Sequence, residues 1–253
     1  MLKNRVIPCL LLDRRRLVKT TKFSRPKYVG DPVNAIKVFN EKEVDELVVL
    51  DIGASRRRAD PDYEIIGQFA EECFMPLCYG GGVSTLEQAQ RLFGLGIEKV
   101  CLQTAAMQGL DLIGQIANQY GRQSVVVSID VKTGWLGTKK LYSAARRRTV
   151  AKSWAEHLQT VVAAGAGEIM LMSVDRDGTF SGIDTDLIKL ATALVDTPII
   201  AAGGVGSLEH IRTAVDAGAS AVGVGSFFVL YGPHRAVLIT YPKYAELTAL
   251  LGS

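Results

Sequence analysis

A shift of 122 positions lays the segment from Pro76, PLCYGGGVSTLE, on the segment from Pro198, PIIAAGGVGSLE. The register holds beyond these segments: Glu46 meets Glu168, Gly96 meets Gly218, and Thr104 meets Ser226. A shift of 119 pairs the first apolar run with the fifth and sets Leu11 against Asp130. The chain therefore reads as two similar blocks. Eight short apolar runs, rich in β-branched residues, occupy 6–11, 46–51, 76–79, 99–102, 125–130, 168–172, 198–201 and 221–224. Amphipathic helical stretches separate them, a pattern that requires parallel strands joined by helical crossovers. The runs are nearly continuous rather than alternating, as expected of strands covered by helices on one face and packed on one another at the other. Four such strands alone would leave two open edges and half a core, so the two blocks must close on each other. The expected fold is α/β, a (βα)8 TIM barrel built from two similar half-barrels, with residues 1–253 as a single domain.

Composition narrows the setting. The 253 residues are 48% hydrophobic and 22% charged, enough for a full core. No apolar stretch approaches the roughly 20 residues of a membrane span, and the start, MLKNRVIPCLLLDRRR, has too short an apolar run for a signal peptide. A cytoplasmic protein without membrane contact is expected. The net charge of +3 gives no reason to expect nucleic acid. Cys9, Cys73, Cys78 and Cys101 show no CxxC spacing and read as reduced, structural thiols. His157, His210 and His234 are far apart, with no ligand spacing around them, so neither a metal nor another cofactor is expected.

Two glycine clusters stand at matching points of the repeat, Gly80-Gly81-Gly82 after the third run and Gly203-Gly204 after the seventh. Glycine lets backbone N–H groups approach a phosphate closely, and Thr104 and Ser226 add a hydroxyl after the fourth and eighth runs. A single glycine cluster is most often a tight turn. Two at symmetric positions, each with its hydroxyl, point to a ligand carrying a phosphate at each end. Asp130 ends the otherwise apolar VVVSID and is expected to face the C-terminal mouth, where barrel enzymes place their chemistry; the plainer reading is a carboxylate capping the following turn.

The segment at 175–184, DRDGTFSGID, lies where a catalytic-face loop belongs. With GGGV, QTAA, SIDVK, AAGGVGSLEH and VGDPV it resembles HisF, the cyclase subunit of imidazole glycerol phosphate synthase, over nearly the whole chain. The resemblance implies a barrel that takes ammonia from a HisH-type glutaminase docked at its bottom face. It uses that ammonia to cleave and cyclise a bis-phosphorylated ribonucleotide of histidine synthesis, a lyase reaction. The resemblance also implies substrate and phosphate contacts at Lys19, Gly81, Gly82, Thr104, Asp177, Gly178, Gly203, Gly204, Gly225 and Ser226, and catalysis by Asp130.

The chain departs from the family at one decisive place. The family's CLDVKDGRVVKG is replaced by Cys9-Leu-Leu-Leu-Asp-Arg-Arg-Arg-Leu-Val-Lys-Thr20, which puts Leu11 where the first of two catalytic aspartates is expected. Leucine cannot hold or transfer a proton, and losing such a group costs on the order of 10²–10⁴ in rate. Asp13 is two positions on, in what reads as a loop. At the other end of the barrel Arg5, Glu46, Lys99 and Glu168 begin the first, second, fourth and sixth runs. Such a ring of charge ordinarily plugs a barrel floor. The resemblance makes the same four residues an ammonia gate.

Three arginine triplets, at positions 14–16, 56–58 and 146–148, fall in loops of the catalytic face. Each alone is an ordinary solvated charge run, whereas three on one rim would attract an acidic surface or a polyanion. Trp135, in the loop after Asp130, is expected to cover a ligand or to pack that loop on the barrel. These features divide the functional readings. The first is a paralogue, most like the WbuZ-type proteins, passing ammonia to a sugar amidotransferase at the catalytic face for amidination of an N-acetyl sugar in O-antigen or other surface polysaccharide. The second is a histidine-pathway cyclase in which Asp13 or a water replaces the lost carboxylate. The third is a catalytically silent scaffold that binds a phosphorylated small molecule.

Overall fold

The strand runs split by parity. Ile7, Cys9, Val48, Cys78, Cys101, Val126, Met170, Ile200 and Ala221 form one buried cluster. Their neighbours Val6, Leu10, Leu47, Val49, Leu77, Val100, Val125 and Val127 belong to a second, larger cluster that includes helix residues such as Ile36, Phe39, Ile66 and Phe69. Alternate side chains leave opposite faces of a strand, so the first cluster fills the bore and the second joins strands to helices. Truncating a member of either, Ile200→Ala or Ile66→Ala, costs about 2–5 kcal/mol.

The computed structural model describes residues 4–252. Its strands are β1 (Arg5–Asp13), β2 (Arg16–Thr21), β3 (Ser24–Gly30), β4 (Leu47–Asp51), β5 (Leu77–Gly80), β6 (Lys99–Leu102), β7 (Val125–Thr133), β8 (Lys139–Ser143), β9 (Arg148–Thr149), β10 (Glu168–Ser173), β11 (Ile199–Ala202), β12 (Ala221–Val224), β13 (Leu230–Tyr231) and β14 (Ala236–Val237). Parallel pairing runs β1, β4, β5, β6, β7, β10, β11, β12 and returns to β1, closing an eight-stranded (βα)8 barrel. The chain enters most of the helices through a capping side chain: Asp31, Asp62, Thr85, Ser153, Asp184 and Ser207 each accept from a first-turn N–H, worth about 1 kcal/mol apiece.

The eight expected runs are the eight barrel strands, with corrected ends. Pro76 and Pro198 precede their strands, since proline has no N–H for the ladder; their carbonyls accept from Leu47 N at 2.9 Å and Ile169 N at 3.0 Å. Glu46 likewise stands one residue before β4. Six further strands were not expected from the sequence, and all belong to the loops. The first barrel strand continues through Asp13 because β2 folds back on it, pairing Leu11 with Val18 and Asp13 with Arg16. No helix among the described residues is long and apolar enough to cross a membrane.

Candidate functional site

At the N-terminal mouth the four charged residues make a closed ring. Arg5 donates to Glu46 and to Glu168. Lys99 Nζ donates to the same two carboxylates, at 2.8 and 2.9 Å. Each acid thus joins both cations, and Glu46 and Glu168 are buried. Burial alone would lower the pKa values of Arg5 and Lys99; the two carboxylates outweigh it and hold both above their usual values. Directly above lies the apolar bore with its three buried thiols.

The C-terminal mouth holds a cavity of about 150 Å³. Asp130, 3% exposed, lies in its wall. Ser128 Oγ donates to one of its carboxylate oxygens and Gln103 Nε2 to the other, both at 2.9 Å. Burial pushes its pKa up to about 7, against the opposing pull of those two hydrogen bonds. The group is thus poised to exchange a proton near neutral pH.

Leu11 faces the same cavity. Strand register fixes its equivalence to Asp130: Leu11 pairs with Leu50 across β1 and β4, as Asp130 pairs with Met172 across β7 and β10. Leu50 and Met172 are themselves related by the 122-residue shift. Asp13 does not stand in for the missing carboxylate. It is the last residue of β1 rather than a loop residue, its carboxylate accepts from Arg57 Nη1 at 2.7 Å, and it lines a separate outer cavity with Arg14, Arg16 and Arg56.

Beside the main cavity is a smaller one of about 40 Å³ that gathers Lys19, Asp177, Gly178, Gly203, Gly204, Gly225 and Ser226. Lys19 is 4% exposed, its Nζ donating to Cys9 O at 2.6 Å. Burial lowers its pKa to about 8, with Cys9 and Asp177 pulling the other way. Asp177 accepts from Thr20 Oγ1 at 2.8 Å and from Phe23 N at 3.2 Å, and burial raises its pKa. Gly81, Gly82 and Thr104 line the main cavity instead. The two glycine clusters thus open on neighbouring spaces under one mouth.

The glycines are required by the turns themselves. Gly81 (φ 120°) and Gly203 (φ 94°) have left-handed backbones, and an added Cβ would fall 2.5 Å from Asp51 O and 2.6 Å from Ser173 O, respectively. Asp51 and Ser173 are again 122 positions apart, so the repeat reaches down to single contacts. The helix after each turn begins later, at Leu86 and Leu208, and is capped by Thr85 and Ser207.

The chain matches, over residues 5–233, the model of a family described as histidine biosynthesis protein. It is 52% identical to a Pseudomonas aeruginosa protein provisionally named imidazole glycerol phosphate synthase subunit hisF2, over 98% of this chain and 99% of that one. A Vibrio vulnificus protein, provisionally hisF3, is 45% identical over 97% and 95% of the two chains. The imidazole glycerol phosphate synthase subunit HisF of Streptomyces coelicolor is 41% identical over 88% and 89%. The chain belongs to the HisF family.

Within this HisF-family barrel, sequence reasoning missed the partners that hold the expected groups. Gln103 and Ser128 open the motifs QTAA and SIDVK, but only their contact with Asp130 reveals what they do. Asp51 faces the mouth as well, its carboxylate taken up by the N–H groups of Gly53 and Ala54 and by Arg57. The arginine rim also needs correction. Arg15 is paired with Asp62 and Glu64, and Arg57 with Asp13 and Asp51, so two of the nine are already neutralised locally. Arg56 and Arg147 line the main cavity. Trp135 is 93% exposed: it neither covers the cavity nor packs its loop.

Proposed function

We propose that this HisF-family protein receives ammonia from a HisH-type glutaminase at the charged ring, conducts it along the apolar bore, and releases it at the C-terminal mouth to a sugar amidotransferase. The product is an amidinated N-acetyl sugar of a surface polysaccharide, as in the WbuZ-type reading. One observation carries this. The mouth presents Asp130 and, at its equivalent position in the other half, Leu11. Cyclisation by the family's acid and base pair then has one proton-transferring carboxylate where two are needed, while all four residues of the expected gate are present and paired with one another beneath an apolar bore, which supports the transit reading.

The histidine-pathway reading needs Asp13 or a water in place of the lost group, and Asp13 is paired with Arg57 and lies outside the lining of the cavity that Asp130 shares. A silent scaffold would have no use for a buried, hydrogen-bonded carboxylate with its pKa near neutrality. The phosphate contacts at the glycine turns are retained in this proposal as the seat of a phosphorylated small molecule. An ammonia-driven assay with the bis-phosphorylated histidine-pathway intermediate tests the reading: little turnover is expected, and turnover equal to that of the Streptomyces coelicolor HisF would end it. The unpaired arginines of the rim steer the amidotransferase to the mouth through acidic groups on its surface.

A further inference from the structure

Two hairpins stand out from the catalytic face with their apolar side chains in solvent. The turn between β7 and β8 carries Trp135 and Leu136, 93% and 87% exposed, and Leu136 holds a left-handed backbone (φ 71°). Beyond β12, residues 231–238 are exposed without interruption. They form the β13–β14 hairpin, with two residues in each strand, and Tyr231, Val237 and Leu238 are 63%, 48% and 51% exposed. So short a hairpin has little stability of its own.

Both hairpins are braced by the same loop. At 175–184, after β10, Asp175 accepts from Thr133 N at 2.6 Å and Asp184 pairs with Lys139, which anchors the β7–β8 hairpin. The Arg235 guanidinium lies 4.6 Å from the centre of the Phe180 ring, which anchors the β13–β14 hairpin. This loop also carries Asp177 and Gly178 of the small cavity. Exposed apolar groups thus flank one side of the mouth, and seven arginines of the three triplets, Arg14, Arg16, Arg56, Arg58, Arg146, Arg147 and Arg148, carry no ion pair among the described residues and belong to segments of the same face.

We propose that the two hairpins are the apolar anchors of the protein that covers the mouth. The inference rests on the function proposed above and identifies that protein as the amidotransferase, which would present an apolar cleft for Trp135, Leu136 and Leu238 and carboxylates for the free arginines. Charge complementarity brings the partner to the face, and desolvated aromatic and aliphatic anchors set how long it stays. A second copy of this chain would close both mouths on each other and leave the nitrogen no exit. A membrane would seal the mouth without offering an acceptor.

The test uses the barrel in complex with its glutaminase and the purified amidotransferase. Trp135→Ser/Leu136→Gly and, separately, Leu238→Ser are expected to weaken association about tenfold or more through faster dissociation, with its salt dependence and the thermal stability of the barrel unchanged. Phe74→Ser, an 85% exposed site three residues before β5 on the opposite face, is expected to leave amidotransferase association unchanged. Hydrogen exchange in the unaltered complex should slow at 133–140 and 231–238. Unchanged affinity in both variants, with no protection of either hairpin, would overturn the anchors and leave the ammonia route standing. So would variants that lose only binding to phosphatidylglycerol vesicles, or only self-association. If the unaltered protein does not bind the amidotransferase at all, the functional reading fails, and the anchors with it.

Discussion

Arg57 donates to Asp13 across 2.7 Å and to the two carboxylate oxygens of Asp51 across 3.1 and 3.2 Å. One guanidinium thereby ties the end of β1 to the end of β4 and removes itself from the pool of free rim charge. Reversing a whole arginine triplet would therefore disturb the barrel rim as well as any docking surface. Arg58 and Arg148 are the cleaner probes, since neither carries an ion pair nor lines the main cavity. Arg58→Glu/Arg148→Glu is expected to slow amidotransferase association, most strongly at low salt. Sulfate binding in the mouth should stay the same. Stopped-flow association at two ionic strengths measures the first effect.

The ring at the other end gives a second prediction. Lys99→Ala leaves Glu46 and Glu168 sharing Arg5 alone, and stranding buried charge in this way costs about 3–5 kcal/mol. Thermal unfolding should register that loss. In the complex with a HisH-type glutaminase, the fraction of glutamine nitrogen that reaches the acceptor should fall, while Lys99→Arg should preserve more of it. Full nitrogen recovery with both Lys99→Ala and Glu168→Ala would make the ring purely structural.

Lys19 supplies a pH signature for the small cavity. Its pKa is held near 8 by burial, and an anion bound beside it favours the charged form. Sulfate, whose own charge is constant across this range, should bind with an affinity that declines above about pH 8, by up to about tenfold per unit. Lys19→Ala should bind more weakly and show a flat profile. Calorimetric titration at pH 7, 8 and 9 decides it.

Much of this was legible in the sequence because the repeat constrains both ends of each strand. Strand positions and the glycine turns follow from a chain that must close two similar blocks, whereas Asp130 and the four ring residues were legible from their places at the ends of the apolar runs and from the family resemblance. The rim was not legible. The strands β2, β3, β8, β9, β13 and β14 are short and partly polar, so no hydrophobic period marks them, and tertiary bracing such as that between Arg235 and Phe180 holds them. For Trp135 the residue type gave no clue that it would face solvent. The fate of Asp13 turned on Arg57, 44 positions away.

Asp130 makes a stability prediction of definite sign. Its pKa is raised in the folded protein, from 3.8 to about 7. The folded state therefore binds more protons than the unfolded state between those values, and stability declines as pH rises through that window, by up to about 1.4 kcal/mol per unit. Asp130→Asn should remove the decline, leaving the variant more stable than the parent at pH 8 and little different at pH 4. Denaturation midpoints across that range check it.

The central claim is that Leu11 breaks an acid and base pair of which Asp130 is the surviving half. The most direct measurement is ammonia-driven turnover of the bis-phosphorylated histidine-pathway intermediate by the parent, by Leu11→Asp and by Leu11→Asp/Asp130→Asn. The account predicts weak parent activity, a gain of about 10²-fold or more in Leu11→Asp, and loss of that gain in the double variant. Parent turnover as fast as that of the Streptomyces coelicolor HisF, unaffected by a carboxylate at position 11, would contradict it.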